Sequence, residues 1–329
     1  MKYPMLDKKK YSFTLTGGAG FIGSNLALKL LELGQKVKVL DNFMTGSKRN
    51  IEEIKDFAKK IDGSFSFIEG DIREPEACAE AVRGADFVIH NAALGSVPRS
   101  VEDPLTSSEI NIGGTLNMMV ATKDAGIKRF VYASSSSVYG DAEKLPKVEG
   151  DEGMPLSPYA VTKCSNELYG AAFKNSYGLS TVGLRYFNVF GPRQDALSPY
   201  AAVIPIFVSK LLKNEAPMIN GDGETSRDFT YIDNVVEANI KAVFAPELVS
   251  GKAFNIAYGG RVTLNKLYEA IRELLGKSDI DPIYGEERVG DIRHSFADIS
   301  NAKKALSYDP EIDFSSGLKL SIDWYKENL

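Results

Sequence analysis

Short apolar runs alternate with amphipathic stretches along the first 135 residues, the pattern of repeated βαβ units. The runs predict strands at Ser12–Leu15, Lys36–Leu40, Phe65–Glu69, Asp86–His90, Arg129–Ala133 and Ser180–Tyr186. Helical periodicity predicts helices over Gly20–Gly34, Ile51–Ile61, Glu74–Arg83, Asn111–Ala125 and Tyr159–Tyr177. Strands linked by helices of this length form a parallel, doubly wound α/β sheet with right-handed crossovers. Beyond residue 187 the texture changes: GPRQDALSPYAAVIP and INGDGETSRDF are rich in loop formers, and GEERVGDIRHS is charged. In an open α/β sheet ligands bind beyond the carboxyl ends of the strands, so these late segments are expected to build a substrate lobe. The expected division is a dinucleotide-binding domain from residues 1–187 plus 229–257, and a smaller α/β lobe from 188–228 plus 258–329. There are no internal repeats and no low-complexity tracts.

Composition narrows the classes. The 329 residues suffice for one large α/β unit or two unequal lobes. A formal net charge of −5 gives no general attraction to nucleic acid or an anionic membrane. No apolar run approaches the ~20 residues of a spanning helix, so no signal peptide or membrane span is expected. Cys78 and Cys164 suggest no disulfide framework or CxxC site, which fits a cytoplasmic enzyme with two reduced thiols. With His90 and His294 the only histidines, a His-rich metal site is not expected.

The segment TGGAGFIG follows the first strand and opens the first helix. Gly17, Gly20 and Gly23, with Phe21 and Ile22 between them, give a tight turn, close backbone approach to a pyrophosphate and close helix–strand packing. This is the cradle of a Rossmann-like fold. Asp41 follows the second strand, 18 residues after Gly23, where a carboxylate accepts both ribose hydroxyls and repels a 2′-phosphate; NAD is favoured over NADP. Asn42 and Gly46 would lie along the adenosine, and Asp71 and Ile72 at the adenine edge. Asp71 could alternatively cap the Glu74 helix. Ala92 and Ala93 in HNAA put small side chains where backbone must approach the dinucleotide.

A second motif, SPYAVTK, places Tyr159 and Lys163 one helical turn apart on one face, with Pro158 as helix starter. A phenol titrates near pH 10 and is a poor base at neutrality. A neighbouring ammonium together with a positive nicotinamide would lower that value, so that Tyr159 takes a hydroxyl proton while hydride leaves the same carbon. Lys163 would also hold the nicotinamide ribose. In YASSSSVYG, Ser134 to Ser137 are expected to close a strand, with Ser135 hydrogen-bonding the reacting oxygen.

On these motifs the chain resembles the extended short-chain dehydrogenase/reductase family, the nucleotide-sugar epimerases and dehydratases, from TGGAGFIG to GDIRHSFADISNAKKALSYDP. The resemblance puts the family's Ser–Tyr–Lys triad on Ser135, Tyr159 and Lys163. Dehydratases carry an acidic pair where this chain has Ser136 and Ser137, and decarboxylating relatives a glutamate in the same stretch, so 4-epimerisation is implied. It further implies Arg227 and Arg288 as diphosphate ligands, since guanidinium forks suit phosphates. Asp291 would hold the nucleoside ribose and Asn188 the diphosphate-sugar. Ala202, Val203 and Asn220 would surround uracil, with Arg261 as a further phosphate contact. Ser295, four residues after Asp291, matches the position that gates sugar size; a small residue there admits a 2-acetamido group. Ser96 in ALGSVPRS could touch the sugar substituents, and Ser136 and Ser137 the sugar itself.

The implied activity is an NAD-dependent 4-epimerase of UDP-N-acetylglucosamine and UDP-N-acetylgalactosamine, acting also on UDP-glucose and UDP-galactose through a transient 4-keto sugar. Arg99 or Arg293 could instead favour a UDP-glucuronate 4-epimerase, and a merely roomy pocket a UDP-glucose 4-epimerase. A non-catalytic NAD-binding regulatory protein is the alternative from another class, against which the intact triad stands. Relatives pair through two long helices, which implies a homodimer.

Overall fold

The computed structural model describes residues 3–6, 9–196, 198–287 and 292–328. Strands and helices alternate in order: β1 (Ser12–Thr16), α1 (Phe21–Glu32), β2 (Lys36–Asp41), α2 (Lys48–Lys60), β3 (Phe65–Glu69), α3 (Pro75–Val82) and β4 (Phe87–His90). Then come α4 (Val97–Glu102), α5 (Pro104–Ser108), a π-helical stretch Glu109–Gly114, α6 (Thr115–Asp124), β5 (Arg129–Ser135), α7 (Pro158–Tyr177) and β6 (Thr181–Tyr186). A seventh strand, Lys252–Ile256, pairs parallel with β6. The sheet is parallel throughout, in the order Lys252–Ile256, β6, β5, β4, β1, β2, β3. The order reverses between β1 and β4, and the crevice beyond that switch point is where such a sheet binds its ligand.

Burial explains why these runs became central strands: four of five residues of β1, and all of β4 and β6, are buried. Strands covered on both faces read as nearly continuous apolar runs. The longest helix, α7, has local signals at both ends. Ser157 caps it by accepting from the Ala160 N–H at 3.1 Å, Pro158 opens it, and Gly178 ends it at φ 71°.

Three local expectations need correction. The predicted helix over Asn111–Ala125 is α only from Thr115. Before it a wide turn forms, because Asn111 is buried and bonded on both sides of its amide to Leu94, and a Cβ on Gly114 would stand 2.4 Å from Ile72. The segment 97–108 holds two short helices that apolar periodicity is too short to reveal; each has a proline in its first turn, Pro98 and Pro104, and a side-chain cap, Ser96 and Asp103. The serine run closes its strand at Ser135, not Ser137. Ser135 accepts from the Ser137 N–H at 3.1 Å, and Ser136–Tyr139 turn as a 3₁₀ helix.

After β6, small two-stranded pairings carry the late chain: Met218–Asn220 with Ile283–Gly285, and Ser226–Arg227 with Val262–Thr263. Among the described residues no helix is long and apolar enough to cross a membrane.

Candidate active site

The cofactor cradle is built by the turn after β1. Gly17 takes φ 69°, and a Cβ there would stand 2.7 Å from the Ala92 nitrogen. A Cβ on Gly23 would stand 2.2 Å from the Gly17 oxygen. Only glycine lets the turn, α1 and the end of β4 approach this closely. At the end of β2, Asp41 accepts from the backbone N–H groups of Ala19 (2.9 Å) and Phe43 (2.8 Å). Burial pushes its carboxyl up, and the N–H groups of Phe43, Ala19 and Asn42 pull it back. Asp71 does not cap α3. It accepts from the Asn42 amide at 2.8 Å and forms an ion pair with Arg73 at 2.7 Å, joining the ends of β2 and β3.

These residues open on a cleft of about 900 Å³. Gly17, Gly20, Phe21, Ile22, Gly23, Asp41, Asn42, Gly46, Asp71, Ile72, Ala93, Tyr159 and Lys163 all line it, as do Ser135, Asn188 and Ala202. A glycine cradle that any Cβ would fill, facing a carboxylate at the end of β2, fits a dinucleotide with free ribose hydroxyls. The Asn91 amide nitrogen, at the end of β4 in the same cleft, is buried with no protein partner. Asn91 was not singled out from sequence; its place at a strand end beside the switch point was the available signal. Tyr186, Arg193 and Tyr200, also not singled out, line the cleft as well, and so does Arg99, one of the two arginines expected to favour a uronic acid.

At the catalytic end, β5 presents three consecutive groups to α7. The Ala133 carbonyl accepts from Lys163 Nζ at 2.9 Å. Ser134 Oγ donates to Glu167 at 2.5 Å, and the Ser135 hydroxyl, which accepts from the Ser137 N–H, stands close to the Tyr159 phenol. Lys163 Nζ lies 5.7 Å from the centre of the Tyr159 ring. Burial lowers the Lys163 ammonium to about 8, against the opposing charge of Glu167. Burial also raises the Tyr159 phenol above its ordinary value, with the Ser135 hydroxyl opposing it. The chain's own groups therefore do not by themselves make the phenolate. Nearby His90 is held neutral, lowered to about 3 by burial, between the hydroxyls of Thr16 and Thr115.

The substrate candidates divide. Ser96 does not line the cleft; its hydroxyl is taken by the Arg99 N–H as the cap of α4. Ser136 and Ser137 are not among the lining residues either; they sit, half-buried, in the 3₁₀ turn that follows the strand. Val203 starts a helix that Ala202 precedes, and only Ala202 faces the cleft. Arg227, Arg261 and Ser295 gather instead on the late chain. Ser295 N–H donates to Ser226 O at 3.1 Å, Arg227 Nη1 donates to Ser226 O at 3.0 Å, and the Arg261 guanidinium stacks on Phe296 at 4.9 Å. Asn220 pairs with Gly285 on the neighbouring pair of strands. Arg288 and Asp291 lie outside the described residues. Asp228, unforeseen from sequence, knits this region: its buried carboxylate accepts from the N–H groups of Tyr258, Gly259 and Ala297, and burial raises it to about 6.

A seven-stranded parallel sheet, a glycine cradle and a Ser–Tyr–Lys cluster at the end of β5 define a nucleotide-dependent oxidoreductive site. Residues 13–257 match the NAD dependent epimerase/dehydratase family. The UDP-N-acetylglucosamine 4-epimerase from Methanobrevibacter ruminantium M1, solved in complex with UDP-N-acetylmuramic acid, is 41% identical with a TM-score of 0.90, over 98% of this chain and 100% of that one. The UDP-glucose 4-epimerase from Thermotoga maritima, solved with UDP-glucose, is 35% identical with a TM-score of 0.88, over 96% and 99%. The UDP-glucuronate 4-epimerase of Thermodesulfobacterium geofontis is 34% identical over 324 residues, 96% of this chain and 97% of that one. The chain belongs to the NAD dependent epimerase/dehydratase family. It is an enzyme of the nucleotide-sugar epimerase type, and its cofactor is NAD.

Proposed function

We propose that the enzyme interconverts UDP-N-acetylglucosamine and UDP-N-acetylgalactosamine at C4, and that it also turns over UDP-glucose and UDP-galactose. The observation that carries the sugar assignment is Ser295, a small half-buried residue tied to Ser226 beside Arg227. By the family resemblance this is the position that gates sugar size, and a small side chain there would leave room for a 2-acetamido group. The likeness to the Methanobrevibacter enzyme supports the same reading.

In this reading Gly17, Gly20 and Gly23 seat the pyrophosphate of NAD, Asp41 its adenosine ribose and Lys163 its nicotinamide ribose. When bound, NAD supplies a reversible acceptor for the hydride of C4. Tyr159 removes the proton of the 4-hydroxyl and later returns it. Ser135, which both donates and accepts, follows the oxygen as it alternates between alcohol and ketone. Lys163, as an ammonium, favours the phenolate of Tyr159. No carboxylate stands at Ser136 or Ser137 to eliminate water, which leaves epimerisation. Arg227 and Arg288 hold the diphosphate while the keto sugar turns, and Asp291, Ala202, Asn220 and Arg261 hold the rest of the nucleotide. Residues 188–228 and 258–329 form the UDP-sugar lobe on the NAD-binding domain.

The enzyme works as a homodimer in the cytoplasm. Its two cysteines are free, and Val101, Leu105, Val161 and Leu168 expose an apolar strip along α4, α5 and α7.

One observation favours a second reading. Arg293 forms ion pairs with Asp222 (2.6 Å) and Glu287 (3.7 Å). Arg99 lines the cleft with its guanidinium over the Tyr200 ring, and its neighbour Ser100 accepts the Tyr159 N–H at 3.0 Å. A cation at the catalytic end would suit a UDP-glucuronate 4-epimerase. A coupled epimerisation assay with UDP-N-acetylglucosamine, UDP-glucose and UDP-glucuronate decides. Preference for the first is the expected result; preference for the glucuronate would overturn the Ser295 assignment and place Arg99 at the sugar carboxylate.

A further inference from the structure

A buried charged network stands behind the Ser–Tyr–Lys cluster. Glu167 lies on α7 one turn beyond Lys163 and two beyond Tyr159, on the face that meets β5. One of its oxygens receives the Ser134 hydroxyl at 2.5 Å and Arg185 Nε at 2.9 Å; the other receives Arg185 Nη2 at 2.7 Å. Arg185, on β6 directly opposite Ser134, also reaches Glu152 and the Tyr139 hydroxyl. Tyr139 in turn donates to Asn255 on the seventh strand at 2.7 Å. Arg185 and Ser134 are almost wholly buried. Two carboxylates facing one guanidinium leave this network one negative charge, beside a lysine whose ammonium form burial disfavours.

Resting on the family reading of the triad, we propose that Glu167 is a positioning residue for the reaction, acting through Ser134 and through the charge of Lys163. The side chains of Ala133, Ser134 and Ser135 leave a strand in alternation, so fixing Ser134 from behind aims the groups on either side of it forward. The Ala133 carbonyl is thereby set for Lys163 Nζ, and the Ser135 hydroxyl for Tyr159. The negative charge of Glu167 favours the ammonium form of Lys163. Arg185 holds the carboxylate by a two-pronged contact, so it cannot swing toward the ammonium and form a direct pair.

Of the charged and titratable groups on the elements around Lys163, Tyr159, Cys164 and Glu167 share its helix, with Tyr169, Lys174 and Tyr177 further along it. His90 is on β4, Arg129 and Tyr132 on β5, Tyr139 in the turn after it, Arg185 and Tyr186 on β6, and Glu152 in the segment before α7. Arg99, Glu102, Asp103 and Glu109 stand on the short helices packed against α7. His90 is neutral, and Glu167 is the charge that acts on Lys163.

The test is the pH–rate profile of Glu167→Gln with NAD and UDP-N-acetylglucosamine. Glutamine keeps an acceptor for Ser134 and removes the charge. The alkaline limb of kcat is expected to move down by about one pH unit. KM is expected to stay within about twofold, because no substrate contact is lost. Glu167→Asp, which retains the charge, should restore the limb. Glu152→Gln, at a more exposed site, leaves the Glu167 contacts in place and should move the limb the same way by less. Should Glu167→Gln fail to fold, the Glu152 variant decides alone. A limb that superimposes on the wild type in the folded variants, with kcat following only the fall in Tm, would overturn the proposal. A wild type that turns over none of the UDP-sugars would instead refute the functional reading beneath it.

Discussion

At the scale of single residues, Tyr159 and Lys163 are the groups proposed to carry the chemistry, and their surroundings set the signs of what should follow. Tyr159→Phe keeps the ring that lines the cleft and removes the one proton acceptor. It should lower turnover by about 10²–10⁴-fold, the usual worth of a positioned acid–base, with NAD affinity by titration little changed. Unimpaired turnover would remove Tyr159 from the mechanism. Lys163 supports the phenolate only as an ammonium, and burial brings its value down from 10.5 to about 8. Its charge is complete below that value and is lost as pH rises through it, so kcat should fall on the alkaline side of about 8. A pH–rate profile flat to the ordinary lysine range would contradict this. Ser295→Tyr fills the space assigned to the acetamido group. It should cut kcat/KM for the N-acetylated pair while sparing the plain pair; equal loss on both would show that Ser295 does not gate the sugar.

Elements show where sequence is informative and where it is not. The strands of the sheet were readable because burial on both faces demands continuous apolar runs, and α7 because Ser157, Pro158 and Gly178 mark its ends. The glycine turn was readable because only glycine tolerates its contacts. Gly23→Ala should therefore lower Tm, at a cost of about 1–3 kcal/mol for overpacking, and weaken NAD binding; a variant with unchanged Tm and NAD titration would refute the cradle assignment. The π turn at Glu109–Gly114 and the two short helices before it escaped notice. The π turn depends on the Asn111 amide meeting Leu94 and Thr162, contacts that no local pattern encodes, and the two helices, though capped locally by Ser96 and Asp103, are too short to show a period. The serine run misled for a similar reason: four hydroxyls in a row looked equivalent, but backbone capping by Ser135 separates two in the strand from two in the turn. Glu167 was invisible as well, because its role arises from Ser134 and Arg185 on neighbouring strands.

On the scale of the whole molecule, the sheet delivers the cofactor cradle from β1, β2 and β4 and the catalytic groups from β5 and α7 to one cleft at the switch point. The late chain gathers Arg227, on a short strand, with Arg261 and Ser295 on the segments beside it, outside the cleft lining; the proposed lobe would grip the nucleotide there while the sugar turns. The exposed strip on α4, α5 and α7 lies on the outer side of the catalytic helix. Leu168, 73% exposed, should be replaceable by glutamate without unfolding the protomer, and Leu168→Glu should convert a dimer to a monomer by light scattering. A wild type already monomeric would refute pairing through this face. In the proposed reaction one cleft removes and restores hydride and proton at the same sugar carbon. Its most direct measurement follows UDP-N-acetylglucosamine with the NAD-loaded enzyme, reading the C4 epimer and the reduced cofactor together. The expected result is UDP-N-acetylgalactosamine at equilibrium with no net consumption of NAD. Reduced cofactor accumulating in step with a sugar that never returns, or no epimer from any UDP-sugar, would contradict it.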